Sequence, residues 1–356
     1  MKIEIYSLPA WERKTKPNPS NLGFGQHFTD HMFMMDYRQG EGWYNPRIVP
    51  YQTIQLDPAA LILHYAQAIF EGLKAYHGVD GKIRLFRPDM NAQRLNASAE
   101  RLCMPTIDPS FFIEAVKTLV KLEKDWVPQA EGASLYIRPT MIATEPALGV
   151  RPALEYLFFI ITSPVGSYYK EGFNPVKIMV TDKYVRAVPG GVGHTKAAAN
   201  YAASLKAAQE AQAQGYSQVL WLDAKERRFV EEVGTMNIFF HFKEALVTPP
   251  LSGSILPGVT RNSVIHLARK WGIETQERPI TIDEVLEGLE KGELLEIFGT
   301  GTAAVISPVG LLHYKGKDHT INRGKTGPLG KRFFQEITGI QYGTRPDPWS
   351  WTVVVD

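Results

Sequence analysis

The stretch GGVGHTKAAANYAAS, residues 190–204, sets three glycines just before a lysine and an alanine-rich segment just after it. Gly190, Gly191 and Gly193 let the backbone approach a bound molecule closely, because glycine has no side chain. The three alanines that follow Lys196 leave open space around its side chain. The pattern therefore raises the question of what Lys196 does at the start of a helix.

Three interpretations of Lys196 follow from its neighbours. A phosphate loop requires GxxxxGK[ST], but Thr195 stands in place of the last glycine and Ala197 in place of the magnesium-binding hydroxyl. A solvated lysine is the common case in a loop. A Schiff-base lysine needs a lowered amine pKa and an aldehyde such as pyridoxal phosphate (PLP). The small neighbours favour the third interpretation.

A Schiff-base lysine needs partners elsewhere in the chain: a carboxylate for the ring nitrogen of PLP, and an arginine and backbone N–H groups for its phosphate. Glu231 and Glu232 are adjacent on a predicted strand, so only one of them can point into a pocket. The segment ILPGVTRNSV (255–264) predicts a helix start at Gly258, where N–H groups suit a phosphate. The turn FGTGTAAV (298–305) offers similar groups. The alternative for Glu231 and Glu232 is a surface acidic pair, and the alternative for the helix start at Gly258 is an ordinary capped helix.

The composition is typical of a folded globular protein with one large or two medium domains. Of 356 residues, 44% are hydrophobic and 21% charged. Thirty-nine basic and 37 acidic residues give a formal charge of +2, without a dense basic run, so we expect no nucleic acid partner. No apolar run reaches the roughly 20 residues of a membrane-spanning helix, and the N-terminal residues lack a signal-peptide core.

The cysteine and histidine residues point to a reducing compartment without a metal site. Cys103 is the single cysteine, so an intrachain disulfide is excluded and a cytoplasmic location is expected. His27 and His31 are four residues apart, but no third ligand accompanies them, and we expect no metal.

Local patterns predict a mixture of helices and strands. Helices are predicted at 88–105, 112–126, 197–214 and 260–272, and strands at 134–144, 154–163, 176–187, 218–223 and 236–242, with a strand–turn–strand unit at 293–309. Proline, glycine and serine in SPVGSYYKEGFNPV (163–176) predict a linker between domains, or a lid over a site. The absence of a regular strand and crossover-helix alternation argues against a doubly wound nucleotide fold.

Taken together, these segments resemble the fold-type IV PLP-dependent aminotransferases, the class IV aminotransferase family, and within it the branched-chain aminotransferases. The resemblance covers nearly the whole chain, in order and spacing. Its segments include FGQHFTDHMF, FEGLKAYHGVDGKIRLFRPDMNAQR, SLYIRPTMIATEPALGV, KYVRA, GHTKAAANYAAS, EEVGTMN, LPGVTR, FGTGTAA and IQYG. It implies an α+β fold: a smaller N-terminal α/β domain (1–165), an interdomain loop (166–176) and a larger PLP-binding domain (177–356) with a pseudo-barrel sheet.

The resemblance also assigns cofactor contacts. Lys196 would form the Schiff base with PLP, and Tyr201 would contact the phenolic oxygen. Glu232 would pair with the pyridine nitrogen, which leaves Glu231 as the outward carboxylate. The remaining cofactor positions fall on Arg94, Arg186, Val259, Thr260 and Thr302.

For the substrate, the resemblance implies transamination of leucine, isoleucine and valine with 2-oxoglutarate. Tyr136 and the N–H groups of Thr302 and Ala303 would bind the α-carboxylate, and Arg138 the distal carboxylate of glutamate. The side-chain pocket would be lined by Phe24, Tyr65, Phe70 and Thr235, with Leu148 and Val150 supplied by the second subunit of a homodimer. A D-amino acid aminotransferase and an aminodeoxychorismate lyase are alternatives of the same fold. A non-catalytic binding protein and a P-loop nucleotide binder are alternatives of other classes.

Overall fold

The structure is a computed structural model that describes residues 1–166 and 173–355. These residues form two compact units. Within the described part, the first unit comprises 1–166, 195–199 and 339–355, and the second comprises 173–194 and 200–338. Residues 167–172 of the expected interdomain loop lie outside the described residues, and Val176 at the end of that loop already belongs to a strand.

The structure describes seven α-helices, of which the second to the fifth in chain order coincide with helices predicted from the sequence and the other three do not. The seven helices are α1 (Leu61–Tyr65), α2 (Pro88–Arg101), α3 (Pro109–Leu122), α4 (Ala198–Ala213), α5 (Val259–Lys270), α6 (Ile282–Glu290) and α7 (Pro328–Gln341). α3 begins earlier than predicted because the Asp108 side chain accepts the N–H of Phe111 at 2.9 Å and Pro109 fits the first helical position. No helix among the described residues is both long and apolar enough to cross a bilayer.

The strands divide between two sheets. In chain order they are β1 (Glu4–Ile5), β2 (His31–Arg38), β3 (Gly42–Pro50), β4 (Ala68–Phe70), β5 (Leu73–His77), β6 (Ile83–Phe86), β7 (Ser134–Ala143), β8 (Glu155–Val165), β9 (Val176–Thr181), β10 (Gln218–Leu222), β11 (Val230–Val233), β12 (Asn237–Phe242), β13 (Leu246–Thr248), β14 (Thr275–Glu277), β15 (Leu294–Gly301), β16 (Val305–Tyr314), β17 (Lys317–Thr320) and β18 (Thr352–Val355). The six predicted strand segments all contain strands.

The sheet of the first unit has the order β1-β3-β2-β8-β7-β5-β6-β18, with β4 beside β7. The pair β1–β3 is parallel and the other pairs are antiparallel. One face of β7 places Leu135 and Ile137 in a core shared with α2 and α3. Because side chains alternate along a strand, Tyr136 and Arg138 lie on the opposite face, which carries the candidate site.

Residues 339–355 belong to the first unit and not to the C-terminal domain in which the sequence analysis placed them. β18 pairs antiparallel with β6, with Val354 opposite Arg84. The Arg87 N–H donates to the Trp351 carbonyl at 2.7 Å. Such pairing between distant segments leaves no local pattern in the sequence. With these residues, the first unit is the larger of the two by residue count.

The sheet of the second unit has the order β11-β10-β9-β16-β15-β12-β13-β14, with β17 beside β16. The pairs β9–β10, β9–β16 and β13–β14 are parallel. The sheet curls into a half-barrel around an apolar core that includes Ile178, Leu220, Ile238 and Leu312, which confirms the predicted α+β fold with a pseudo-barrel sheet.

Candidate active site

The backbone of Lys196 is fixed within the first unit. Its carbonyl oxygen accepts the N–H of Phe70 at 3.1 Å, and its own N–H donates to the Ser98 hydroxyl at 3.0 Å. Ala197 forms an antiparallel bridge with Ile69. These contacts attach the segment before α4 to β4 and α2, so the position of the Lys196 backbone does not depend on the Lys196 side chain.

Two cations lie against the ring of Phe70. The Lys196 ammonium nitrogen is 4.8 Å from the ring centroid, and the Arg138 guanidinium carbon is 4.7 Å from it. Both distances are within the range of cation–π interactions. The structure thus brings Phe70 and Arg138, two residues expected in the substrate pocket, to the predicted Schiff-base lysine.

Tyr136 links Arg138 to the aromatic side of this pocket. Arg138 Nη2 donates to the Tyr136 hydroxyl at 3.0 Å, and the ring of Phe24 meets the Tyr136 ring edge-on at 4.9 Å between centroids. The Tyr136 hydroxyl lies over Gly72, where a Cβ would overlap it. An apolar wall therefore carries a single guanidinium, and only glycine fits beneath the phenol.

Tyr65 makes a contact within the first unit that is separate from those of Phe70 and Tyr136. Its hydroxyl donates to the carbonyl oxygen of Leu148, and it is 40% exposed. Leu148 and Val150, on the loop between β7 and β8, are 67% and 84% exposed. These three expected pocket residues present apolar surface to the outside of the unit.

A buried carboxylate that the sequence analysis did not single out lies beside Arg94. Glu71 is fully buried and accepts Arg94 Nε at 2.7 Å and Arg94 Nη2 at 2.9 Å. Burial, the largest single effect, raises the pKa of Glu71, but the charges of Arg94 and Lys196 and a hydrogen bond from Asn91 together lower it below its ordinary value. The sequence feature that could have identified Glu71 is its position as an acidic residue directly between Phe70 and Gly72.

In the second unit, Glu232 on β11 is held by several donors. Its Oε1 accepts the N–H of Leu256 at 2.9 Å and Asn237 Nδ2 at 3.1 Å. Arg186 Nε lies 2.9 Å from Glu232 Oε2. The two groups form an ion pair, but the Nε–H bond is not directed at that oxygen. Arg186 Nη2 donates to the carbonyl oxygens of Gly193 and Ser254. These contacts fix a carboxylate, as a partner for a ring nitrogen requires.

Glu231 is buried, which corrects the expectation that it would be the outward carboxylate. Every residue of β11 is buried, because both faces of this short strand are covered. Glu231 Oε1 accepts the Ser254 hydroxyl, and Oε2 has no hydrogen-bond partner among the described residues. Burial raises the pKa of Glu231, although the Ser254 hydrogen bond and the Arg186 charge act to lower it.

The first turn of α5 has the form expected of a phosphate site. The helix begins at Val259 after Gly258, which makes no side-chain cap. A Cβ on Gly258 would overlap Asn237 Oδ1, so a larger residue there would displace the Asn237 side chain. The first-turn N–H groups of an α-helix have no partner within the helix, and the helix dipole favours an anion at this end.

The other predicted residues of the second unit lie on α4 and on turns. Tyr201 is half-buried on α4, and its carbonyl oxygen accepts the Ser204 hydroxyl at 2.7 Å. Thr302 and Ala303 are half-buried in the turn between β15 and β16, and Thr235 is exposed in the turn after β11.

Comparison with known proteins identifies the family. The model of the class IV amino-transferase family matches residues 68–312, and the chain belongs to this family. This confirms the resemblance found in the sequence and is incompatible with the phosphate-loop interpretation of Lys196. Enzymes of this class use PLP, which is therefore the cofactor.

Individual relatives are similar over their full length. The chain is 56% identical to branched-chain-amino-acid aminotransferase 2 of Bacillus subtilis over 355 residues, covering 100% of this chain and 97% of the relative. It is 57% identical to branched-chain-amino-acid transaminase 1 of the same organism, covering 96% of each. The crystal structure of the Escherichia coli branched-chain amino acid aminotransferase aligns with a TM-score of 0.75 at 29% identity, covering 90% of this chain and 99% of that one.

The residues of each unit fit PLP chemically. The first unit offers the amine of Lys196 and the buried cation of Arg94. The second offers the fixed carboxylate of Glu232 and the first turn of α5. An amine for the aldehyde, a carboxylate for the ring nitrogen, and a cation with backbone amides for the phosphate are the groups that this cofactor requires.

Proposed function

We propose that the protein transfers the amino group of leucine, isoleucine or valine to 2-oxoglutarate, giving branched-chain 2-oxo acids and L-glutamate by a ping-pong mechanism. The observation that carries the proposal is the apolar wall of Phe24, Phe70 and Tyr136 with one guanidinium, Arg138, against it. Such a pocket suits an aliphatic side chain and offers one cation for the distal carboxylate of glutamate. The names of the two Bacillus relatives support branched-chain amino acids as the amino donors.

In this mechanism the bound PLP supplies a ring that accepts the electrons of the broken Cα–H bond. Lys196 Nζ would hold the cofactor through its aldehyde at rest and, once the substrate amine has displaced it, would move the proton from the substrate α-carbon to the cofactor carbon. Glu232 holds the proton of the ring nitrogen, and the donors of Leu256 and Asn237 keep its carboxylate in place.

The remaining residues bind and orient. We assign the cofactor phosphate to a set of donors in which backbone amides and hydroxyls accompany one arginine, and these are Arg94, Val259, Thr260 and Thr302. Arg186 and Tyr201 complete the cofactor contacts. The substrate α-carboxylate is assigned to Tyr136 and the N–H groups of Thr302 and Ala303, and the side-chain pocket includes Tyr65 and Thr235.

A homodimer in the cytoplasm is part of the proposal. Leu148 and Val150 are exposed apolar residues on one loop, and exposed apolar side chains grouped together are typical of interaction sites. We assign them to the active site of the second subunit. The single cysteine, Cys103, fits a reducing compartment.

The substrate class is tested with the purified, PLP-loaded protein. We expect leucine to bleach the visible absorbance, and leucine with 2-oxoglutarate to yield glutamate, whereas D-alanine does neither. Bleaching by D-alanine and not by leucine would favour a D-amino acid aminotransferase. Pyruvate release from aminodeoxychorismate would favour the lyase of the same fold.

The role of Arg138 is tested by Arg138→Met, which keeps an unbranched side chain against Phe70 and removes the charge. We expect kcat/KM to fall by about 10²-fold with glutamate and by less than about 5-fold with leucine, because only glutamate has a distal carboxylate. The two half-reactions are measured separately from the rate of bleaching. Equal losses with both amino acids would contradict the assignment.

A further inference from the structure

Glu71 occupies a position in the first unit that the proposed mechanism does not use. It lies between β4 and β5, with no exposed surface, and its backbone N–H donates to the Pro139 carbonyl at 2.8 Å. Its carboxylate accepts four hydrogen bonds: two from Arg94, one from Asn91 Nδ2 at 2.8 Å and one from the Gly72 N–H at 3.0 Å. A fully buried carboxylate is costly unless it is paired in this way.

The pairing fixes the plane of the guanidinium. Arg94 uses Nε and Nη2 for the two oxygens of Glu71, a side-on arrangement that determines both the position and the tilt of the group. Asn91, one helical turn before Arg94 on α2, holds one of these oxygens from the same helix.

The charged and titratable groups that act on Glu71 are Arg94 of α2 and Lys196 of the segment before α4. Both are cations, and both lower the pKa of the carboxyl against the effect of burial. Glu71 is thus the buried counter-ion of Arg94, the arginine of the first unit to which a phosphate role is assigned.

We propose that Glu71 is a positioning residue, which aims Arg94 at the cofactor phosphate. The proposal rests on the proposed function, since it takes the phosphate to be the ligand of Arg94. A glutamine in its place has a single acceptor oxygen, and its NH₂ group would face an N–H of Arg94. The guanidinium would then lose one anchor and its fixed orientation.

The test compares PLP with pyridoxal, which has the same ring and aldehyde but no phosphate. Full-length protein depleted of cofactor is titrated with each compound, and binding is followed by absorbance and tryptophan fluorescence. For Glu71→Gln we expect the Kd for PLP to rise at least about 10-fold, because the loss of one hydrogen bond between charged groups weakens binding by about that factor. The Kd for pyridoxal should change less than about 3-fold, because pyridoxal has no phosphate for Arg94 to bind. A matched control is Glu123→Gln, which removes another buried carboxylate of the first unit, paired with His31, and should leave the ratio of the two Kd values unchanged.

Each outcome decides between the alternatives. An equal loss of PLP and pyridoxal affinity, or no loss, would overturn the positioning role. A wild-type protein that binds pyridoxal as tightly as PLP would instead contradict the phosphate assignment within the proposed function, whatever Glu71 does.

A second variant covers the case in which Glu71→Gln does not fold. Asn91→Ala removes one donor to Glu71 and keeps the Arg94 pair, so we expect the same phosphate-selective loss at about 3-fold. If Asn91→Ala shows no phosphate-selective loss, the proposal is wrong.

Discussion

Lys196→Ala is expected to abolish transamination, with a loss of kcat for leucine of at least about 10³-fold, since the variant has no amine to attach the cofactor and none to carry the α-proton. The variant should fold normally. The contacts that hold this segment use the backbone of Lys196, through the Phe70 N–H and the Ser98 hydroxyl, and alanine keeps both.

The measurement is the visible absorbance of the PLP-loaded protein, with the rate of glutamate formation from leucine and 2-oxoglutarate. Lys206→Ala is the matched control, because Lys206 lies on the adjoining α4, is 63% exposed and pairs with Glu210. It should keep wild-type activity and colour. If Lys196→Ala keeps more than a tenth of the activity, Lys196 is not the proton carrier.

Glu232→Gln is expected to lower kcat by about 10²- to 10³-fold, the range found when a group that stabilises developing charge is removed. Glutamine keeps the shape and one acceptor oxygen for the Leu256 N–H, so the variant should remain folded. It loses the negative charge that would hold a proton on the ring nitrogen. The charge of Arg186, 2.9 Å from Oε2, would then have no counter-ion at this position.

Glu231→Gln is the control for Glu232→Gln, because it makes the same replacement of a carboxylate by an amide at the adjacent buried residue. We expect it to alter kcat by less than about 3-fold. The two variants are compared by single-turnover kinetics with leucine, which separate the proton transfer from product release. Equal losses would mean that the assignment of the ring nitrogen to Glu232 is wrong.

The sequence predicts the elements well where local chemistry determines them. The start of α5 at Val259 follows from Gly258 before a helical pattern, whereas the predicted start of α3 is three residues late because its cap, Asp108 followed by Pro109, was not used. The turn between β15 and β16 is indicated by glycines between two apolar runs. Periodicity and capping are properties of neighbouring residues, so a single sequence contains them.

The pattern does not predict which distant segments meet. The alternation of faces predicts only that one of Glu231 and Glu232 enters a pocket, and the resemblance made Glu231 the outward one. Alternation gives no information on whether the second face of β11 is covered, and in the structure it is. The importance of Glu71 depends on Arg94 of α2 and on the segment that contains Lys196, two partners brought together by the fold.

The pairing of β18 with β6 has a consequence for synthesis on the ribosome. The edge of β6 is open until Thr352–Val355 have been made, although all other strands of that sheet are complete once β8 has emerged. At typical elongation rates this interval is roughly 10 to 40 s. During that time the nascent first unit exposes an unpaired strand edge, and Phe86 has not yet packed on Trp351.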